Sequence, residues 1–261
     1  MTVLRKLKAQ PSRAVLGGLA ILESFDARRP SQSLADISHR LRIPKATALR
    51  TLRALEEKHY VTYDRSDGSY ALGIGVLALA QQYLLRYEAL PIVRPMLVEL
   101  ARETGETAHF GVLQGPEVVY LEIAESPQRV RAYVLRGDHL PAHAVAAGKA
   151  ILAHAAPAVL DAVLASGLPR LAPATITDQP AFLRELRTTR QRGYGLNIGE
   201  WLADVTGVSA PVFGYSGEVE GAIGVAGPMS RLDARRAARL GAVVRGYGER
   251  ASERLGGSRA A

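Results

Sequence analysis

The chain has 261 residues, 48% of them hydrophobic, a net charge of +8 and no cysteine. Its length suits one large or two ordinary domains, and the missing cysteines exclude disulfides and thiolate metal sites. No apolar run reaches the ~18 residues a membrane helix needs, and the basic start, MTVLRKLKAQPSR, lacks the apolar core of a secretory signal, so a cytoplasmic protein without a membrane partner is expected.

The charge is unevenly placed. Residues 1–75 hold 13 of the 33 basic residues and only 7 of the 25 acidic ones, a net of +6, which leaves +2 for the rest. Excess positive charge at one end suits a polyanion, because phosphate neutralisation supplies most non-specific affinity for nucleic acid. A solvated basic face is the plainer alternative.

In chain order, residues 1–11 read as a basic arm. Ser12 is placed to cap a helix running to about Asp26, with Val15, Leu19, Leu22 and Phe25 on its apolar side. A break at residues 27–31 leads into LADISHRLRIPKATALRTLR, residues 34–53. Ser33 is a good N-cap for a short helix patterned by Leu34, Ile37 and Leu41. The pattern breaks at Arg42-Ile43-Pro44, and a second helix begins with Pro44 in its first turn, where a missing N–H costs nothing. Two short helices joined by a tight turn outline a helix-turn-helix. On a helical wheel Ala48, Leu49, Leu52 and Leu55 share one arc. Thr47, Arg50 and Ala54 point the other way, with Ala46 and Arg53 on the flank. The outward face is small and basic, a shape the major groove of B-DNA admits. Residues 60–72 then read as two short strands around Asp67-Gly68, with Arg65 near the tip. Three helices and a hairpin make a winged helix-turn-helix over residues 1–72.

Gly73-Ile-Gly75-Val-Leu-Ala78 imitates a dinucleotide fingerprint, but no βαβ unit surrounds it. Residues 73–89 read instead as a linker helix. From Leu90 to Gly105 an amphipathic helix is expected, followed by strands at 107–113, 118–125 and 130–135, a loop at 137–141 and an Ala-rich helix at 143–155. Helices at 157–165 and 180–192, strands at 194–198, 205–215 and 218–226, and a last helix from about Ser230 to Leu255 complete the chain. Hairpin-joined strands flanked by helices argue an α+β domain over residues 90–256 with a mainly antiparallel sheet.

No catalytic signature is present: G-x-S-x-G and H-E-x-x-H are absent, and Gly148-Lys149 is no phosphate loop because its first glycine would fall at His143. Lys149 reads as a helix-end charge, and Glu122 and Glu125 as solvated or ion-paired. His109, His139, His143 and His154 offer imidazoles, but Pro141 interrupts the i,i+4 pair, and neither metal nor cofactor is expected.

Several separated segments, in order, resemble the IclR family of bacterial transcription regulators: LADISHRLRIPKATALRTLRALEEKHYV, RPMLVELARETGETAHFGVL, VVYLEIAESP, LPAHAVAAGKAILA, RGYGLNIGE, SAPVF and GAIGVAGPMSRL. The resemblance implies a winged helix-turn-helix, a linker helix and a GAF-like effector-binding domain, in dimers or tetramers on palindromic operators near metabolic operons. The expected DNA contacts are Arg50 and Thr47 to bases, with Ala46 and Thr51 beside them, and Lys45, Arg53 and Arg65 to phosphate. In the family a small ligand lies between the sheet, the HAxxxGKA segment and the loop after RGYxxD. The matching positions are Leu140, Ala146, Ala147, Asn197, Gly207, Gly224 and Ala226, with Ala132 on a nearby strand and Glu200 and Trp201 as lining or lid. Backbone N–H groups at the Ala147-Gly148 helix start offer a carboxylate seat. Members that bind small keto acids carry Asp, Cys and Ser around the ligand and an Arg before the Cys. Here those positions are Asn197, Gly207, Gly224, Ala226 and Thr206. A wider, less polar pocket is expected, for an aromatic or partly apolar acid larger than two or three carbons. The alternative is that these small residues only pack the sheet. Two functions stay open: a ligand-responsive DNA-binding regulator, or a small-molecule-binding protein or enzyme whose helix-turn-helix serves assembly. Salt-dependent binding to a palindrome, against turnover of a ligand, separates them.

Overall fold

The computed structural model describes residues 12–257 except Ala27 and Tyr133; the basic arm expected at 1–11 lies outside the described residues. The chain divides into two compact units, one ending at Arg86 and the other starting at Tyr87.

The first unit contains α1 (Arg13–Glu23), β1 (Ser31–Ser33), α2 (Leu34–Leu41), α3 (Lys45–Glu57), β2 (Val61–Asp64), β3 (Ser69–Leu72) and α4 (Ile74–Leu84). Ser33 caps α2 as its position requires: its side chain accepts from the Asp36 N–H, and the Asp36 carboxylate accepts from the Ser33 N–H. The α2–α3 turn is made by Arg42, which takes the left-handed conformation at φ 54°, while the Ile43 N–H returns to the Ser38 carbonyl. Pro44 sits just outside α3, at its N-cap. Ile21, Ile37, Leu52 and Val61 close a small core beneath the three helices and the hairpin. Each fully buried aliphatic side chain there contributes about 1.5–3 kcal/mol. β1, which the sequence reading lacked, pairs with β3 to give an antiparallel sheet of order β1-β3-β2.

Two expectations here need correction. α1 ends at Glu23 rather than Asp26, and Ser12 makes no side-chain cap. Leu22 and Phe25 do join the core, together with Ile21, whereas Val15 and Leu19 are exposed. The glycines of the false fingerprint serve close packing. The Gly73 and Gly75 N–H groups donate to the carbonyls of Tyr60 and His59, and a Cβ on Gly73 would come within 2.3 Å of the His59 oxygen.

The second unit contains α5 (Ala89–Thr104), β4 (Thr107–Gln114), β5 (Glu117–Ala124), β6 (His139–Pro141), a 3-10 turn at 142–144, α6 (Ala146–Leu152), α7 (Pro157–Ala165), α8 (Gln179–Arg192), β7 (Gly195–Ile198), β8 (Val205–Phe213), β9 (Val219–Pro228) and α9 (Ala234–Arg254). The six strands order β6-β5-β4-β9-β8-β7, every pairing antiparallel. α5 and α9 pack on the sheet, as does α6. The α+β class stands, with two local reversals. Residues 130–135 form no strand among the described residues, and the expected loop at 137–141 contains β6. The edge of β5 is occupied by His139–Pro141, which leaves the Val130–Leu135 segment no partner there.

Buried charges in this unit are matched internally. Glu106 takes two bonds from Arg231, at 2.8 and 2.6 Å, and one from Arg236 at 3.0 Å. Glu122 is held between Arg94 and Arg136. Burial alone would raise its carboxyl, but hydrogen bonds from the two arginines outweigh that and keep it below the usual range.

Candidate nucleic-acid interface and ligand cavity

α3 presents the face that the wheel assigned outward. Ala48 and Leu52 are fully buried, Leu49 and Leu55 are half-buried, and Lys45, Ala46, Arg50, Arg53 and Ala54 are exposed. Lys45 is exposed at the helix start. Thr47 and Thr51 are half-buried, and the Thr51 hydroxyl donates to the Thr47 carbonyl at 3.0 Å, so Thr51 is already engaged within the helix. Among the described residues neither Lys45, Arg50, Arg53 nor Arg65 forms an ion pair, whereas Arg29 and Arg40 of the same unit both reach Asp26. α3 has no acidic residue in its first turn, so its N-terminal dipole is open to an anion. At the hairpin tip Arg65 stands between Asp64 and Asp67, whose carboxylates accept from Ser66 and Ser69 N–H groups.

In the second unit a small cavity of about 20 Å³ lies against the sheet, lined by His109, Tyr120, Val134, Leu140, Val145, Ala146, Asn197, Trp201, Val205, Gly207 and Ala226. Five of the ten expected effector positions therefore meet there together with Trp201. The other four are placed differently. Ala132 is buried in an irregular segment, packed with Val205, Ala226 and Trp201. Ala147 is fully buried in the core beside the cavity. Gly224 opposes His109 on one side and Ser209 on the other; a Cβ there would sit 2.1 Å from Ser209 Oγ. Its bare backbone lets His109 Nε2 and Ser209 Oγ meet at 3.2 Å across the middle strand, so Gly224 packs the sheet rather than widening a pocket.

Glu200 is an anchor. Its carboxylate takes Lys149 Nζ at 2.5 Å, its N–H donates to Asn197 Oδ1 at 2.8 Å, and its carbonyl accepts the Thr175 hydroxyl at 2.6 Å. These three bonds hold the loop that carries Trp201. Lys149 is thus no helix-end charge: it is fully buried, with Glu200 and Glu185 as its partners. Burial raises the Glu200 carboxyl despite the nearby ammonium.

The cavity is narrower than its small residues imply, because Trp201 packs over Val205 and Ala226; the remaining space admits about one water. It contains two polar groups that sequence reasoning left out as ligand contacts, His109 and Tyr120. From sequence His109 is a candidate only for a metal. Among the described residues no three His, Asp or Glu side chains gather to hold a metal. His139 pairs with Glu117 and His143 with the Pro169 carbonyl. The signal for His109 lay only in strand register, since Ser209 is 100 residues away.

Comparison with known proteins bears on both units. The IclR helix-turn-helix domain matches residues 14–65, and the bacterial transcriptional regulator IclR C-terminal domain matches residues 81–253. The HTH-type transcriptional repressor AllR of Klebsiella pneumoniae is 32% identical over 94% of this chain and 90% of its own. Among solved structures, a putative IclR transcriptional regulator from a Silicibacter species is 33% identical, covers 95% of this chain and 98% of its own, and superposes with a TM-score of 0.74. An IclR homolog from Microbacterium hydrocarbonoxydans, complexed with 4-hydroxybenzoate, is 27% identical over 92% of this chain and 99% of its own, with a TM-score of 0.78. The relatives are transcription regulators rather than enzymes, which removes the catalytic alternative. With both domain types matched along most of its length, the chain belongs to the IclR family of bacterial transcription regulators.

Proposed function

We propose that this regulator controls a metabolic, catabolic operon by binding a palindromic operator as a dimer or tetramer in the cytoplasm, and that an aromatic or partly apolar organic acid is its effector. The observation that carries the reading is the unpaired cationic face of α3. Arg50 meets a guanine edge with Thr47 and Ala46 against the neighbouring bases. Lys45, Arg53 and Arg65 meet phosphates, and Thr51 backs the face. Two such helices in a dimer read half-sites one turn of DNA apart or a multiple of that.

Assembly is supported by apolar surface in the same unit. α1 exposes Val15, Leu16 and Leu19, and α4 has no buried residue while exposing Ile74, Leu77 and Leu79. Exposed apolar helix faces of this kind fit a second copy of the chain.

The effector reading rests on the cavity wall. Leu140, Ala146, Gly207 and Ala226 supply an apolar surface, and Trp201 can stack on a flat ligand once it swings aside. Asn197 and the neighbouring Ala132, Ala147, Gly224 and Glu200 shape and brace it. The test is to map the DNA protected upstream of the protein's own gene, with and without metabolites of the adjacent operon. A palindromic footprint that one aromatic acid removes is expected. Absence of any protected sequence would overturn the proposal.

A further inference from the structure

We propose that His109 reads the effector: its Nδ1 hydrogen-bonds the hydroxyl or carboxyl head of an aromatic or partly apolar acid lying against Trp201. This rests on the reading of the cavity as the effector site. His109 is only 3% exposed, yet its Nδ1 has no hydrogen-bond partner among the described residues. A buried polar atom left unmade costs about 1–3 kcal/mol, and such atoms are few in folded proteins. The ring cannot turn to hide it. Nε2 is engaged with Ser209 Oγ at 3.2 Å, and Tyr120 stacks edge-on at 4.9 Å and 87°. His109 lines the cavity, where no Lys, Arg, Asp or Glu joins it. Burial holds the imidazole neutral, pushed down to about 4. Because the Ser209 hydroxyl can donate or accept at Nε2, the neutral ring can present Nδ1 as acceptor or donor to match the ligand.

The two amides that mimic opposite ends of imidazole test this. His109→Gln keeps a group near Nε2 for Ser209 and deletes Nδ1. His109→Asn keeps a group near Nδ1 and deletes the Ser209 bond. The chain has one tryptophan, Trp201, so its fluorescence reports the cavity directly. With 4-hydroxybenzoate as the aromatic probe and glyoxylate as the small-acid probe, His109→Gln is expected to need at least about tenfold more 4-hydroxybenzoate for half-response, while His109→Asn stays within about threefold of wild type. The reverse order, with Gln benign and Asn weak, overturns the proposal in favour of a purely structural tie to Ser209. Equal response in all three proteins also overturns it and leaves the cavity reading standing. If wild type answers glyoxylate alone, the aromatic effector is wrong, and the same Gln-against-Asn order decides the role of His109. Silence to both probes overturns the cavity reading and this one together.

Discussion

The cations of α3 and the cations gathered around buried groups of the second unit are treated in opposite ways. In the second unit Lys149 is fully buried and tied to Glu200, and Arg231 and Arg236 converge on the fully buried Glu106. On α3, Lys45, Arg50 and Arg53 stand in solvent without an acidic partner among the described residues. A buried charge must be matched where it lies, because desolvation is never recovered otherwise. An exposed one needs no partner to be stable and so stays available to a polyanion. The difference separates cations that hold the fold from cations left free for something outside it.

Breaking an internal pair gives the largest expected effect. Glu200→Ala removes the nearer carboxylate from buried Lys149 and leaves it only Glu185, at 3.8 Å, so it should lower unfolding free energy by about 3–5 kcal/mol, read from urea denaturation. Joining it with Lys149→Met should recover most of that loss, since the poorly matched buried group is gone. The next effect is a pH dependence. His109 is held neutral, at about 4 when folded against ~6.5 unfolded. Between those values the unfolded chain binds the extra proton, so stability is full above about pH 6.5 and falls as pH drops towards 4, by on the order of 3 kcal/mol. His143, also pushed down by burial, adds in the same direction. In His109→Gln the slope of stability against pH in this window should shrink.

Exposed cations should behave differently. Arg50→Ala is expected to weaken operator binding by about 1–3 kcal/mol and relax specificity at one base pair, with the thermal unfolding midpoint unchanged. A lower midpoint would move Arg50 into the class of Lys149. The smallest effect, about 1 kcal/mol of stability, is expected for Ser33→Ala, which removes the α2 capping box.

How much of this could be read from sequence depended on how local the signal was. The helix-turn-helix was legible because Ser33, Pro44 and the leucine spacing of α3 all act within a few residues, and Asp67-Gly68 announces the hairpin turn, where Gly68 takes φ 74°. α1 misled in part: Leu22 and Phe25 join the core, but Val15 and Leu19 find no cover within the unit, so periodicity carried the buried face too far towards the N-terminus. The Val130–Leu135 pattern has the alternation of a strand, but pairing belongs to the neighbour available, and β5 is paired with His139–Pro141 instead. Long-range features were out of reach. Lys149 and Glu200 are 51 residues apart, and nothing near either marks the bond. Gly224 and Gly207 looked alike in sequence, yet register puts one under the His109–Ser209 bond and the other on the cavity wall.

The most direct test of an unpaired α3 face built for DNA is operator affinity measured across a salt series for wild type, Lys45→Ala and Arg50→Ala, each against a scrambled duplex. Wild type should show a steep linear fall of log affinity with log salt. Lys45→Ala should flatten that slope by about one unit on both duplexes, and Arg50→Ala should narrow the gap between operator and scrambled DNA. Affinity indifferent to salt, with both variants matching wild type on both duplexes, would contradict it.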